Sequence, residues 1–269
     1  MKKTKVIIPA LGILLLSTAA SVTGTVAWFS MNTNVSATGM NIKAQAENGI
    51  LISNEAKALW KDTATASHSG ANVKIVPTST ADGTTWYHAK SVDADDYHQT
   101  GGYTTLTGIA KDENGVGVLS GINYYLENDF YIKSSGEAMN NSDFYVNVVS
   151  GSGVGTGVNA LLAQSLRVLI KCGSDTLIFA PFRANAEEIS YNVAGATSAT
   201  TAQGSATNPK VNVKFPTAVN IPVVDTNAPI GIAVYIYFEG EDEECKSANL
   251  SSTLDTLGLE LQFGTKTVA

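Results

Sequence analysis

Charge is scarce in this sequence, and positive charge scarcer: 15% of 269 residues are Asp, Glu, Lys or Arg, with 17 basic against 24 acidic side chains. A net charge of −7 and a pI near 4.9 leave no basic stripe to track phosphates, so no nucleic-acid partner is expected. Histidine occurs three times, as His68, His88 and His98, and cysteine twice, without HExxH, CxxC or another metal-type spacing. The three histidines therefore read as solvated loop residues. No G-x-S-x-G elbow is present, and no Ser or Cys has a base that the sequence identifies. An enzyme is not expected, nor a cofactor or a metal. Asp93, Asp95, Asp96 and the acidic run 239–244 offer oxygen ligands but lack the glycine and distal glutamate of an EF-hand loop. The second run reads as a solvated turn leading to Cys245. Helix signals are equally few, confined to 54–61 and 158–164, and no internal repeat is found.

Apolar side chains are present in quantity, at 44%, enough for a packed core and against wholesale disorder. Richness in Thr, Ser, Asn, Gly and Val favours strands. Strict period-2 alternation marks them. The clearest case sets Ile230, Ile232, Val234, Ile236 and Phe238 on one face against Gly231, Ala233, Tyr235 and Tyr237 on the other. Leu257/Leu259/Leu261/Phe263, Leu166/Val168/Ile170, Leu177/Phe179, Val211/Val213/Phe215, Phe144/Val146/Val148, Phe130/Ile132, Val73/Ile75 and Ile50/Ile52 follow the same rule. They predict roughly ten strands. Cys172-Gly173-Ser174-Asp175 reads as a hairpin loop and Asn114-Gly115 as a tight turn. The Gly/Ser/Thr/Ala-rich stretches 150–157 and 195–208 read as surface loops that do not separate independent halves. The expectation is one all-β domain, a sandwich of two antiparallel sheets over 40–269. Trp60, Trp86 and the ten tyrosines offer either a sugar-stacking face or core and cross-strand pairs, and the latter reading is the commoner one.

The N-terminus carries an address. Lys2, Lys3 and Lys5 precede the apolar run 6–16, and small residues follow through Ala27, the plan of a secretory signal peptide. Thr25-Val26-Ala27 places the cut between Ala27 and Trp28, giving a signal peptide over 1–27 and an extracellular protein. The rival reading is a retained anchor over 6–27, since a spanning helix needs about 20 apolar residues. The membrane is then a partner only through an uncleaved leader. Cys172 and Cys245 suit export: a disulfide across a loop of this size contributes about 4 kcal/mol in the chain-entropy model. Two separate buried thiols are the alternative. Past the cut, residues 28–39 hold Trp28, Phe29, Met31 and Val35, and no charge occurs before Lys43. Such a segment is poorly suited to water. It is expected either to pack at home, with 40–46 as the first strand, or to add as a strand to a neighbour's sheet edge.

The residues from Ala27-Trp28-Phe29-Ser30-Met31-Asn32 through Val35-Ser36-Ala37-Thr38-Gly39-Met40-Asn41-Ile42 resemble the leader junction of the TasA/camelysin (CalY)-like family of secreted Firmicute proteins, which are cut by a SipW-type signal peptidase. The segment Tyr237-Phe238-Glu239-Gly240-Glu241-Asp242-Glu243-Glu244-Cys245 is similar to an aromatic-acidic-Cys segment of that family. The resemblance implies a jelly-roll sandwich exported from a Gram-positive cell, with a cell-surface or biofilm-matrix role. It also implies fibres joined by passing an N-terminal strand to the next subunit, here Trp28 to Val35. Camelysin members have been described as proteases, but no zinc motif carries that activity over. The leading expectation is a non-enzymatic fibre subunit; the alternative is a monomeric surface adhesin or carbohydrate-binding module.

Overall fold

The computed structural model describes residues 43–46, 49–68, 75–89, 103–150, 162–182, 190–193, 196–199, 202–203, 210–223, 228–242, 244–245 and 259–266. Among them run nineteen strands and one helical turn at 162–164. The first eight strands are β1 (Lys43–Ala46), β2 (Ile50–Asn54), β3 (Thr63–Thr65), β4 (Ser79–Thr80), β5 (Trp86–Ala89), β6 (Tyr103–Leu106), β7 (Ala110–Lys111) and β8 (Val116–Leu119). Next come the long β9 (Ile122–Ser134) and β10 (Met139–Ser150), then β11 (Leu166–Cys172), β12 (Asp175–Ala180), β13 (Ser190–Val193) and β14 (Ala196–Ala199). The last five are β15 (Ala202–Gln203), β16 (Lys210–Lys214), β17 (Val219–Ile221), β18 (Ile230–Phe238) and β19 (Leu259–Lys266).

Two sheets enclose the main core. One is ordered β16-β10-β19-β1-β3, with β17 also on β10; the other is ordered β15-β12-β11-β18-β9-β8-β7, with β2 also on β9. The chain changes sheet in the short connection between β9 and β10. Strand pairing is antiparallel except for β1 with β19 and β12 with β15. The alternation seen in the sequence sets which side chains meet between the sheets. From β18 come Ile232, Val234, Ile236 and Phe238, which lie in one buried cluster with Phe130 and Ile132 of β9, Phe144 and Val146 of β10, and Leu261 and Phe263 of β19. Phe144 stacks on Phe215 and Phe263 at ring separations of 5.2 and 5.6 Å. Each fully buried side chain of this size contributes about 1.5–3 kcal/mol through the area it removes from water.

The expected two-layer sandwich gains a third layer. Tyr235, Tyr237, Leu169 and Ile178 point away from the main core, onto the face that alternation assigns to solvent. There Tyr237, Leu169 and Ile178 are buried with Trp86, Tyr124 and Tyr125, and Tyr235 packs against them. Trp86 belongs to the three-stranded sheet β4-β5-β6, which lies on this face. Its ring stacks on Tyr125 at 4.5 Å and meets Tyr237 edge-on at 5.1 Å. At the eight-stranded sheet's margin, Gly117 pairs with Tyr125, whose ring occupies the place of a side chain: a Cβ would fall 2.3 Å from it.

Other expectations divide. The hairpin at 172–175 forms, pairing Cys172 with Asp175, and the turn at Asn114-Gly115 joins β7 to β8. Of the helix foreseen over 158–164, residues 162–164 form a helical turn and 158–161 lie outside the described residues, while 54–61 holds a turn with no helix. The 195–208 stretch contains β14 and β15. Ile75 lies outside any strand.

Candidate functional site

The leader over 1–27, the cut between Ala27 and Trp28, and the segment 28–39 with Trp28, Phe29, Met31 and Val35 lie outside the described residues. The strand that follows them does not. Residues 43–46 of the foreseen first strand form β1, parallel to β19 (Ala44 beside Leu261) and antiparallel to the three-residue β3 (Ala44 beside Ala64). Lys43 therefore stands where β19 begins and β10 ends, and the chain before it joins the domain at that end of the six-stranded sheet. β3 closes the order of that sheet beyond β1. Next to it lies a groove of about 350 Å³ lined by Ala56, Ala58, Leu59 and Ala64, with Lys61 and Thr63 among its polar members. Leu59 is 66% exposed, the largest exposure of a large apolar side chain among the described residues.

A charge cluster lies on the other sheet. Lys111 Nζ is 2.5 Å from Asp129 Oδ2, 3.2 Å from Glu55 Oε1 and 3.7 Å from Glu127 Oε1. His68 Nε2 lies 2.6 Å from Glu55 Oε2, and the His68 backbone N–H donates to Asn128 Oδ1. His68 is thus tied into an ion-paired network, which corrects its reading as a solvated loop residue. Burial works against the Lys111 charge, but the Asp129 hydrogen bond and the nearby carboxylates hold its ammonium above the ordinary lysine range. Burial lifts Glu127, with Lys111 opposing. These ion pairs tie together β7, β9 and the turn after β2.

Three acids of the run past β18 are buried, which corrects its reading as a solvated turn. Glu239, Glu241 and Asp242 are 1%, 6% and 0% exposed. Arg167 of β11, buried equally, brings Nη2 to 2.5 Å from Asp242 Oδ2 and donates through Nη1 to the carbonyls of Gln164 and Leu166. Glu239 Oε1 accepts the Glu241 N–H at 3.2 Å, while Glu241 Oε1 has no hydrogen-bond partner among the described residues. The backbone completes the turn: Glu239 N–H donates to Ser165, Thr78 N–H to Phe238 and Gly240 N–H to Thr78. Thr78 immediately precedes β4, so this turn fastens the three-stranded sheet.

Cys172 and Cys245 are free and buried, and the expected disulfide is not formed. The reason is geometric. Cys245 hydrogen-bonds Ser165, just before β11, while Cys172 ends that strand. Six steps of about 3.3 Å separate the ends by about 20 Å, against the few ångströms a disulfide spans. Burial pushes the Cys172 thiol up to about 11 and Cys245 higher still. Trp86, a candidate sugar platform, is 3% exposed inside the second core. Trp60 is half-buried with the Lys133 ammonium over its ring. Among the described residues no group of three His, Cys, Asp or Glu side chains is placed to hold a metal.

Sequence reasoning missed both charge clusters. Arg167 inside the apolar run 166–170 was the available signal: a guanidinium in a buried strand requires an acid beside it. The fold and its sites together define a three-layered all-β sandwich. No protein-family model, curated protein or solved structure matches the chain.

Proposed function

We propose that this chain is a secreted, non-enzymatic structural subunit, a sandwich of jelly-roll type that joins to further copies in cell-surface or biofilm-matrix fibres through residues 28–39. In this reading a SipW-type peptidase frees Trp28, and the uncharged segment adds as a strand to the sheet edge of the next subunit. The observation that carries it is the position of β1: the strand that follows the segment lies one place inside the short edge strand β3, beside a groove where Leu59 is exposed. A short strand at the end of a sheet's order, beside a groove with an exposed apolar side chain, is what an incoming strand needs, though the Thr65 carbonyl of β3 already accepts the Asn54 side-chain amide.

The test compares residues 28–269 with residues 40–269 by sedimentation velocity and electron microscopy. Filaments or large oligomers are expected only for the longer protein. Thr63→Pro on β3 removes a backbone donor at the edge, and it is expected to cut assembly at least tenfold while the thermal melt stays cooperative. Identical monomers from both proteins at high concentration overturn the reading.

A further inference from the structure

We propose that the Lys111 ammonium and the Asp129 carboxylate condense into an intramolecular amide, with Glu127 carrying the proton, and that this bond ties β7 to β9 across β8, the strand between them. The reacting groups are already together. Lys111 Nζ lies 2.5 Å from Asp129 Oδ2, and Cγ, one C–O bond beyond that oxygen, is therefore within about 3.7 Å of Nζ. Reacting atoms poised for attack stand about 3–3.5 Å apart, and a pair held near that range gains the high effective concentration of an intramolecular reaction. Both residues are held by strand pairing, Lys111 to Gly117 of β8 and Asp129 to Ala233 of β18. Glu55, itself 2.6 Å from His68, contacts Nζ at 3.2 Å from the turn after β2.

The surroundings supply the rest of the chemistry. An ammonium has no lone pair, so it must first give up a proton. Glu127 Oε1 is 3.7 Å from Nζ, and burial lifts the pKa of this carboxyl, which suits it to hold that proton. Tyr235 hydrogen-bonds Glu127 and meets the buried Tyr125 edge-on at 5.2 Å. Beside these rings the side chains of Lys111, Asp129 and Glu127 are 23%, 21% and 13% exposed, which leaves little water at the reacting atoms. After Glu127 takes the proton, the Nζ lone pair bonds to Cγ and one Cγ–Oδ bond breaks. That oxygen leaves as water, with one proton returned by Glu127 and a second from the nitrogen. One cation and one anion disappear together, so net charge is unchanged. The carboxylates that hold the ammonium also keep the free amine rare, and the reaction is accordingly slow. It is needed once per molecule. Distance alone does not select this pair: Lys214 Nζ is also 2.5 Å from Asp143 Oδ1, but its side chain is 45% exposed and among the described residues no second carboxyl pairs with it. No amide is expected there.

The test is mass spectrometry of the full chain, incubated folded at neutral pH for a prolonged period and then denatured. The wild type is expected to be one water lighter than its sequence, and protease digestion to release a branched peptide joining the segment of Lys111 to that of Asp129. Lys111→Arg keeps the positive charge but has no amine that can be deprotonated, and it is expected at its full sequence mass. Glu127→Gln keeps the shape and removes the proton carrier; it is expected to link at least about tenfold more slowly while its thermal melt stays cooperative, and Glu127→Asp, which retains a carboxyl, to recover part of the rate. A wild type at full sequence mass overturns the proposal, as does a water loss that persists in Lys111→Arg or a branch at Glu55 or Glu127 in place of Asp129. Linkage of Glu127→Gln at the wild-type rate removes Glu127 from the reaction. Should that variant not fold, the masses of the wild type and Lys111→Arg still decide whether the bond exists, and a Glu127→Asp rate equal to the wild type's in a folded protein counts against the placement of the proton carrier.

Discussion

Gly115 shows how tightly single positions are constrained. It turns the chain between β7 and β8 at φ +74°, and a Cβ there would lie 2.5 Å from the His68 ring and 2.6 Å from the Glu127 carbonyl oxygen. Asp112 closes this turn by accepting the Asn114 and Val116 N–H groups through Oδ1. Gly115→Ala must therefore strain the backbone and displace His68 from Glu55. The expected loss is between about 1 and 3 kcal/mol, read as a lower denaturation midpoint with unchanged slope. The thiols give a second check at this scale. Both are buried and both are pushed up by burial, so neither offers an exposed thiolate. A disulfide reagent is expected to modify no cysteine in the native protein and two in denaturant, and non-reducing mass mapping to find no bridge. Rapid native labelling would contradict the packing around Ser165.

At the scale of the element, legibility follows periodicity. β18 is readable because alternate residues meet one core, and Gly231, Ala233, Tyr235 and Tyr237 on its other face leave the period of two visible. The three-stranded cover was invisible for the complementary reason. Its burial partners Tyr235 and Tyr237 are amphipathic residues that suit a wet face as well as a dry one. The available hint was the unbroken run in β11 and β12, Val168-Leu169-Ile170 and Leu177-Ile178-Phe179, since a strand buried on both sides loses its alternation. The short strands β3, β4 and β7 are held by their neighbours and carry no pattern of their own. The cysteine pairing failed because sequence separation says nothing of which end of a strand each thiol occupies. The candidate site was less legible than the fold: a run of acids reads as solvated until the arginine that accompanies it is placed in space.

The whole molecule depends on distant parts of the chain meeting. β1 and β19, the first and last strands in chain order among the described residues, lie side by side and parallel within the six-stranded sheet. Between β10 and β1 there is only β19, which contacts β10 over eight consecutive pairs. Removing residues 259–269 takes Leu261 and Phe263 out of the main core and separates β10 from β1. The shortened protein is expected to lose its cooperative thermal transition and to bind a hydrophobic dye; a sharp melt within a few degrees of the intact chain would show that β19 is dispensable.

That adjacency also sets a timetable. A ribosome delivers β1 and its neighbour β3 long before β19, the strand that joins β1 to β10, so the six-stranded sheet cannot close until β19 has emerged. A chain stalled before β19 carries β10 and β1 with no strand to join them, and so no intact six-stranded sheet.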